Sequence, residues 1–409
     1  PHPRRPANML GSASLTLLSA LAAGSLLPAA ALRLGAGKAI DIEAYTFQHF
    51  VRDFQRTYEQ GTEEWAKREE LFNRRLAEAS EFNALPGQTW KMGPSRFMDF
   101  TASERQRVLG YRGRGGRRAR EASPAAASLR RAPALPSSFS VVEAMEAKQR
   151  KPRLLKIVRD QGNCGSCWAT AATSTLEGQM EVNATLMDQL SALKDHDAKV
   201  PTTPTLSSQA VVSCTPNPRH CGGQGGCAGA TVELAYGMLE EKGGLPFAME
   251  WSYTGTDETC KTDSFSRHKI GITSFTTLPA NKQQPLLEAI VTTGGPIAVS
   301  VDATNWFMYS TGIFSDGKKG DFTVNHAVTL MGYKKPDGGE MGWYDIKNSW
   351  GAYWGENGHI RIEMKPDDEQ HCGWDYNTKD GLACDGDPDS AWVCGTCGVL
   401  YDSAFPMGL

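Results

Sequence analysis

The 409-residue chain has no excess of charge of either sign: 43 Lys and Arg stand against 46 Asp and Glu, a net −3. That balance excludes a global electrostatic footprint for nucleic acid or an anionic membrane. With 42 Gly and 22 Pro it has too few of either for a collagen-like or low-complexity chain. A 40% hydrophobic content excludes disorder throughout. No internal repeat is visible, and after residue 32 no apolar stretch approaches membrane-spanning length. Cysteine is plentiful instead. Ten are many for a cytosolic enzyme of this size and ordinary for a secreted one. The length allows two or three units of roughly 150 residues.

Residues 1–32 read as a secretory signal. Leu10 to Leu32 is rich in Leu and Ala, follows Arg4 and Arg5, carries no charge before Arg33, and offers small residues at Ala29, Ala30 and Ala31 for cleavage. A signal anchor is the alternative, and Gly24 and Pro28 count against it. Residues 42–83 are expected to be helical, because Phe47, Phe50, Val51, Phe54 and Tyr58 recur at three- and four-residue steps. Glu64 and Arg68 sit four apart on that pattern as an ion pair. From Arg112 to Arg131 lie seven Arg among mostly Gly, Ala and Ser, a composition that favours an exposed hinge over a folded segment. A nucleic-acid-binding run would interleave aromatics, which are missing here; Arg117-Arg118 and Arg130-Arg131 are candidate cut sites. The expected organisation is a signal (1–32), a mostly helical segment (42–101), a basic linker (102–134) and one large unit (135–409).

Within the large unit a helix is expected from Cys167 through Leu176 to Met180, a polar loop over Asp188 to Pro204, and β-rich runs at Pro296–Val301, Ala327–Tyr333, Trp343–Lys347 and Gly358–Ile362. Helix first and strands second predict an α+β arrangement in two lobes. The segment Asp160-Gln161-Gly162-Asn163-Cys164-Gly165-Ser166-Cys167-Trp168-Ala169 would place the Cys167 thiol at a helix N-terminus, where the dipole favours a thiolate. Such a thiol needs an imidazole. Asn325-His326 interrupts an apolar run from Val324 to Met331, a costly insertion unless its polar groups find partners. Asn348, in Asn348-Ser349-Trp350-Gly351, is the candidate to orient the ring.

On these motifs the chain resembles a papain-like cysteine protease zymogen of the cathepsin L type, the C-G-[SA]-C-[WY] signature being carried by Cys164 to Trp168. The resemblance implies a helical lobe and a β-barrel-like lobe with a cleft between them, preceded by an inhibitory propeptide domain. It implies Cys167 as nucleophile, His326 as general acid/base, Asn348 as its orienting group, Gln161 as the oxyanion-hole side chain, and Trp350 as a cover over the His–Asn contact. The propeptide motif is matched by Glu64, Arg68, Leu71, Phe72 and Asn83; Arg75 and Ala79 depart from it. Gly93, Phe97 and Asp99 match a second short motif, with Ser95 in place of Asn. The implied activity is hydrolysis of peptide bonds by an endopeptidase through a thioester, with no cofactor or metal. The implied partners are protein or peptide substrates and the chain's own propeptide. A monomer in the lysosome or vacuole, or outside the cell, is expected.

The same likeness pairs Cys164 with Cys227 and Cys214 with Cys260. No cysteine lies just before His326 to complete the family's third bridge, so two local disulfides are expected among Cys372, Cys384, Cys394 and Cys397, leaving Cys221 over. Zinc at Cys394 and Cys397 is the rival reading. Gly229 and Ala230 fall on the family's substrate-binding strip. Asp402 falls at the floor of the pocket for the second residue upstream of the scissile bond, with Ser300, Val232 and Ala327 as walls. An acid there predicts acceptance of basic as well as hydrophobic side chains. A sequon at Asn183-Ala184-Thr185 is compatible with secretion. A non-catalytic relative and a peptide-joining transpeptidase are the competing functions.

Overall fold

The computed structural model describes residues 41–110, 134–197, 199–266, 269–317 and 320–409. The expected signal and the whole arginine-rich run, Arg112 to Arg131, lie outside these. Among the described residues no helix is long and apolar enough to cross a membrane.

The amino-terminal segment folds around its aromatics. Helices Phe47–Asp53 and Glu63–Ala84 replace the single expected helical stretch. They part where Gln55 and Gly61 take positive φ, and Thr62 caps the second helix by accepting the N–H of Trp65. Phe47, Phe50, Phe72 and Met98 form the small core between them, together with Met308 of the large unit. Arg75, a departure from the motif, is buried and donates to the carbonyls of Phe97 and Met98 at 2.8 Å each. Burial lowers its guanidinium pKa to about 10. Residues 102–110, grouped with the linker on sequence, are part of this packed segment, as helix Ala102–Val108 and the turn after it.

A nine-stranded sheet organises the second lobe. Strand His326–Lys334 lies between Ile297–Val301 and Gly342–Lys347, all antiparallel, with Val301 opposite His326 and Thr329 opposite Lys347. The expected late β-rich runs therefore fall on strands. The amino-terminal segment joins this sheet at its edge, Trp90–Met92 pairing with Tyr309–Phe314. One hydrophobic core, including Trp306, Tyr344 and Ile360, fills this lobe.

The other lobe is helical. Cys167–Val182 runs through its centre with almost every residue buried, as a central helix rich in Ala and Thr must be when it is packed on several sides. Part of the expected polar loop is a helix instead, Ala184–His196, because the Asn183 side chain caps it by accepting the N–H of Leu186 at 3.1 Å. A second core, with Trp168, Tyr236 and Phe247, holds this lobe together.

Candidate active site

The local sequence puts Cys167 at the first turn of the central helix, with Ser166 as N-cap. His326 opens its strand, and Asn348 follows the end of the neighbouring one. Cys167 and His326, from opposite lobes, line one small cavity of about 10 Å³, together with Leu109, Gly110, Ser300 and Ala327. That is no larger than a single water requires. Nε2 of His326 and Oδ1 of Asn348 are 2.8 Å apart, and the same oxygen accepts the N–H of Ser349 at 2.7 Å. Since Oδ1 accepts, Nε2 carries the hydrogen, and the basic lone pair of the neutral ring is on Nδ1. Nδ1 is buried and has no hydrogen-bond partner among the described residues. The Trp350 ring lies 4.9 Å from the His326 ring and is itself covered by Phe97, also at 4.9 Å.

Gln161 is fixed at both ends of its amide. Its Oε1 accepts from Ser349 Oγ at 2.5 Å, which leaves Nε2 to donate to the carbonyls of Val108 (2.8 Å) and Cys164 (2.9 Å). Sequence reasoning missed Ser349 in this orienting role; the only signal was its place between Asn348 and Trp350. The Val108 carbonyl ends helix Ala102–Val108, and the next turn brings backbone across the Cys167 thiol. A methyl group on Gly110 would sit 2.9 Å from Sγ of Cys167, and one on Gly229 would collide with the Gly110 carbonyl. Ser95, the departure in the second short motif, donates to the Phe307 carbonyl at 2.6 Å. Arg96 pairs with Asp160 at 2.5 Å beside Gly162.

This cover dominates the electrostatics. Desolvation pushes the Cys167 thiol up to about 11, against the N–H groups of Ala327, Trp168 and Cys167 that favour its thiolate. Desolvation takes His326 down to about 4, against its contact with Asn348. Burial therefore favours the neutral thiol and the neutral imidazole while the amino-terminal segment is in place.

Ala230, Val232, Ser300 and Ala327 line the cavity with Cys167. Asp402 lies one step further. It accepts from Ser300 Oγ at 2.7 Å and faces a neighbouring cavity of about 310 Å³. The structure bonds Cys164 to Cys227 and Cys214 to Cys260. The expectation of two bridges among the last four cysteines requires correction. Cys372 pairs with Cys394, its opposite in a two-stranded ladder, whereas Cys384 pairs with Cys221 in the helical lobe. Cys397 is a free, buried thiol 3.4 Å from the Trp306 indole N–H. With Cys394 in a disulfide, the zinc alternative loses a ligand.

Residues 141–379 match the papain family cysteine protease domain, and residues 47–104 match the cathepsin propeptide inhibitor domain. Procathepsin L of Mus musculus is 32% identical over 41% of this chain and 49% of its own length. Cathepsin L of Sarcophaga peregrina is 28% identical over 50% of this chain and 54% of its own. The chain thus spans about half the length of the curated relatives it matches. In fold it resembles digestive procathepsin L2 proteinase from the Tenebrio molitor larval midgut (TM-score 0.64, 22% identity, 88% of this chain and 98% of that one).

Proposed function

The chain belongs to the papain family of cysteine proteases, and on that premise we propose that it is a thiol peptidase synthesised as a precursor inhibited by its own amino-terminal segment. In this reading Cys167 Sγ attacks the carbonyl carbon of a substrate peptide bond, and the oxygen's developing charge is met by Gln161 Nε2 and the Cys167 backbone N–H. The C–N bond then breaks. The proton taken up by His326 Nδ1 passes to the leaving amine, and a thioester to Cys167 remains. Water adds to the thioester with Nδ1 as base, releasing the acid and restoring the thiol. Asn348 holds the ring so that Nδ1 points to the sulfur, and Trp350 keeps water from that hydrogen bond.

One observation carries the reading: the inhibitory segment lays a peptide carbonyl on Gln161 Nε2 and backbone over Sγ, which is where a substrate's peptide group would act. We extend the proposal to the chain's organisation: a signal over 1–32, an inhibitory segment from 42, cleavage in the arginine-rich run, and a catalytic unit over 135–409. Four disulfides support passage through the secretory pathway, to a lysosome or vacuole or out of the cell.

The test is labelling of the processed protein by a peptidyl epoxide, with hydrolysis of a peptide substrate followed in parallel. Label on Cys167 and loss of both label and turnover in Cys167→Ala are expected. Undiminished turnover in that variant would refute the assignment.

A further inference from the structure

Strands Cys372–Asp375 and Ala391–Cys394 form a hairpin base, closed by the Cys372–Cys394 disulfide. The chain between them leaves the β lobe and crosses to the helical one. On the β side, Asp375 is fully buried and accepts the N–H of Val324 at 2.9 Å, and Asn377 Nδ2 donates to Thr323 Oγ1 at 3.2 Å. This ties the crossing to the residues just before His326. On the helical side Cys384 is bonded to Cys221, the Gly222 N–H donates to the Ala383 carbonyl at 2.9 Å, and His220 Nδ1 meets Asp385 at 2.7 Å. Gly381 lies between the two walls. A methyl group there would press on the Val324 carbonyl, and one on Gly222 would sit 2.9 Å from the Gly381 carbonyl. Gly222 and Gly381 line the same cavity as Cys167 and His326. Leu382 and Ala383 wall the neighbouring 310 Å³ cavity that Asp402 faces.

We propose that residues 376–390 form a fixed strap that ends the substrate cleft just beyond the Asp402 pocket, so that the site seats no more than two residues upstream of the scissile bond. The inference rests on the peptidase reading and on Asp402 as the floor of the second upstream pocket. An extended peptide advances about 3.3 Å per residue, and a third residue has to pass where Gly222 and Gly381 already touch. Endopeptidase action needs a cleft open at both ends, and the strap removes one of them. The substrates that fit are chains whose amino terminus lies two residues before the cleaved bond, and the product is a dipeptide.

The processed enzyme is tested on free-amine di-, tri- and tetrapeptidyl aminocoumarin amides sharing the same two residues next to the cleaved bond, with epoxide labelling of Cys167 measured on the same sample. The expected result is a kcat/KM at least about tenfold higher for the dipeptidyl amide than for the tetrapeptidyl one. The double variant Cys221→Ser/Cys384→Ser frees the strap on one side and is expected to shrink that ratio several-fold. Equal or faster cleavage of the tetrapeptidyl amide by an enzyme that labels at Cys167 overturns the strap and leaves the peptidase reading standing. A ratio in the double variant equal to that of the parent also overturns it. No label and no turnover of any length overturns the peptidase reading itself.

Discussion

Nε2 of Gln161 donates to the main-chain carbonyl of Val108 at 2.8 Å, so the donor that would stabilise an oxyanion is occupied by the last carbonyl of the inhibitory segment's own helix. That helix starts with a capping box in which Thr101 and Glu104 satisfy one another's backbone, and Arg68 holds Glu104 from the neighbouring helix through two contacts of 2.6 and 2.7 Å. A charge pair in the inhibitory segment is thereby coupled to a backbone oxygen in the cleft.

Replacing Gln161 with Ala removes an oxyanion donor, an effect typically about 2.7–4 kcal/mol or roughly 100- to 1000-fold in turnover. The processed Gln161→Ala enzyme is expected to lose kcat by that order with KM little changed. Steady-state kinetics on a peptide amide decide it, and unchanged kcat would remove Gln161 from the mechanism.

Gly110 has φ +75° and passes Sγ of Cys167 too closely for a side chain. In Gly110→Ala the left-handed conformation costs about 1–2 kcal/mol, before any steric term. The uncleaved precursor is expected to label with epoxide roughly 5- to 30-fold faster at neutral pH. Gly87→Ala, also at positive φ but with open space around it, is the control and should label more slowly than Gly110→Ala.

The contact with Arg68 holds the Glu104 carboxyl down to about 2, well below the ordinary value near 4.3. A carboxylate so depressed stabilises the docked segment above its ordinary value, and that stability is lost as pH falls through about 4 toward 2. Epoxide labelling of Cys167 in the uncleaved precursor is expected to accelerate across that window. Glu104→Gln, lacking the charge at any pH, should label faster at pH 7 and show a flatter pH profile.

Asp402 reaches its cavity from beside Ser300, and a carboxylate there offers a counter-charge to Arg or Lys in the second upstream position. Asp402→Ala is expected to lower kcat/KM for an Arg substrate relative to its Phe counterpart by about tenfold. An unaltered ratio would take the residue out of the pocket.

The candidate site was legible because its members announce themselves locally: a thiol after two glycines at a helix start, and a polar pair inside an apolar strand. The two-lobed order of helices and strands was legible for the same reason, since periodicity is local. What stayed hidden depends on distant partners. Cys384 finds Cys221 across 163 residues, and nothing near either cysteine favours that pairing over a local one. The helix after Asn183 was hidden by its polar surface, and its cap doubled as a sequon. Arg75 and Ser95 looked like defects in a motif because the carbonyls they hold, those of Phe97, Met98 and Phe307, come together only in the fold.

The covered site also predicts how pH acts on inhibition through the catalytic pair itself. With the segment docked, burial holds the His326 imidazole down to about 4 and the Cys167 thiol up to about 11, whereas an opened cleft returns water to both. An imidazole depressed in the docked state favours docking fully above its ordinary value near 6.5. As pH falls from there toward 4, the opened form takes up a proton that the docked form cannot, and docking weakens with a slope of up to one proton. Carbon-13 labelled histidine in the precursor of Cys167→Ser, which has no reactive thiol, should give a His326 ring signal that stays neutral from pH 8 down to about 5. The processed protein should show the ring protonating at higher pH. A precursor ring that titrates near 6.5 would mean that water reaches it beneath the inhibitory segment, and the neutral-pair account of the inhibited state would fail.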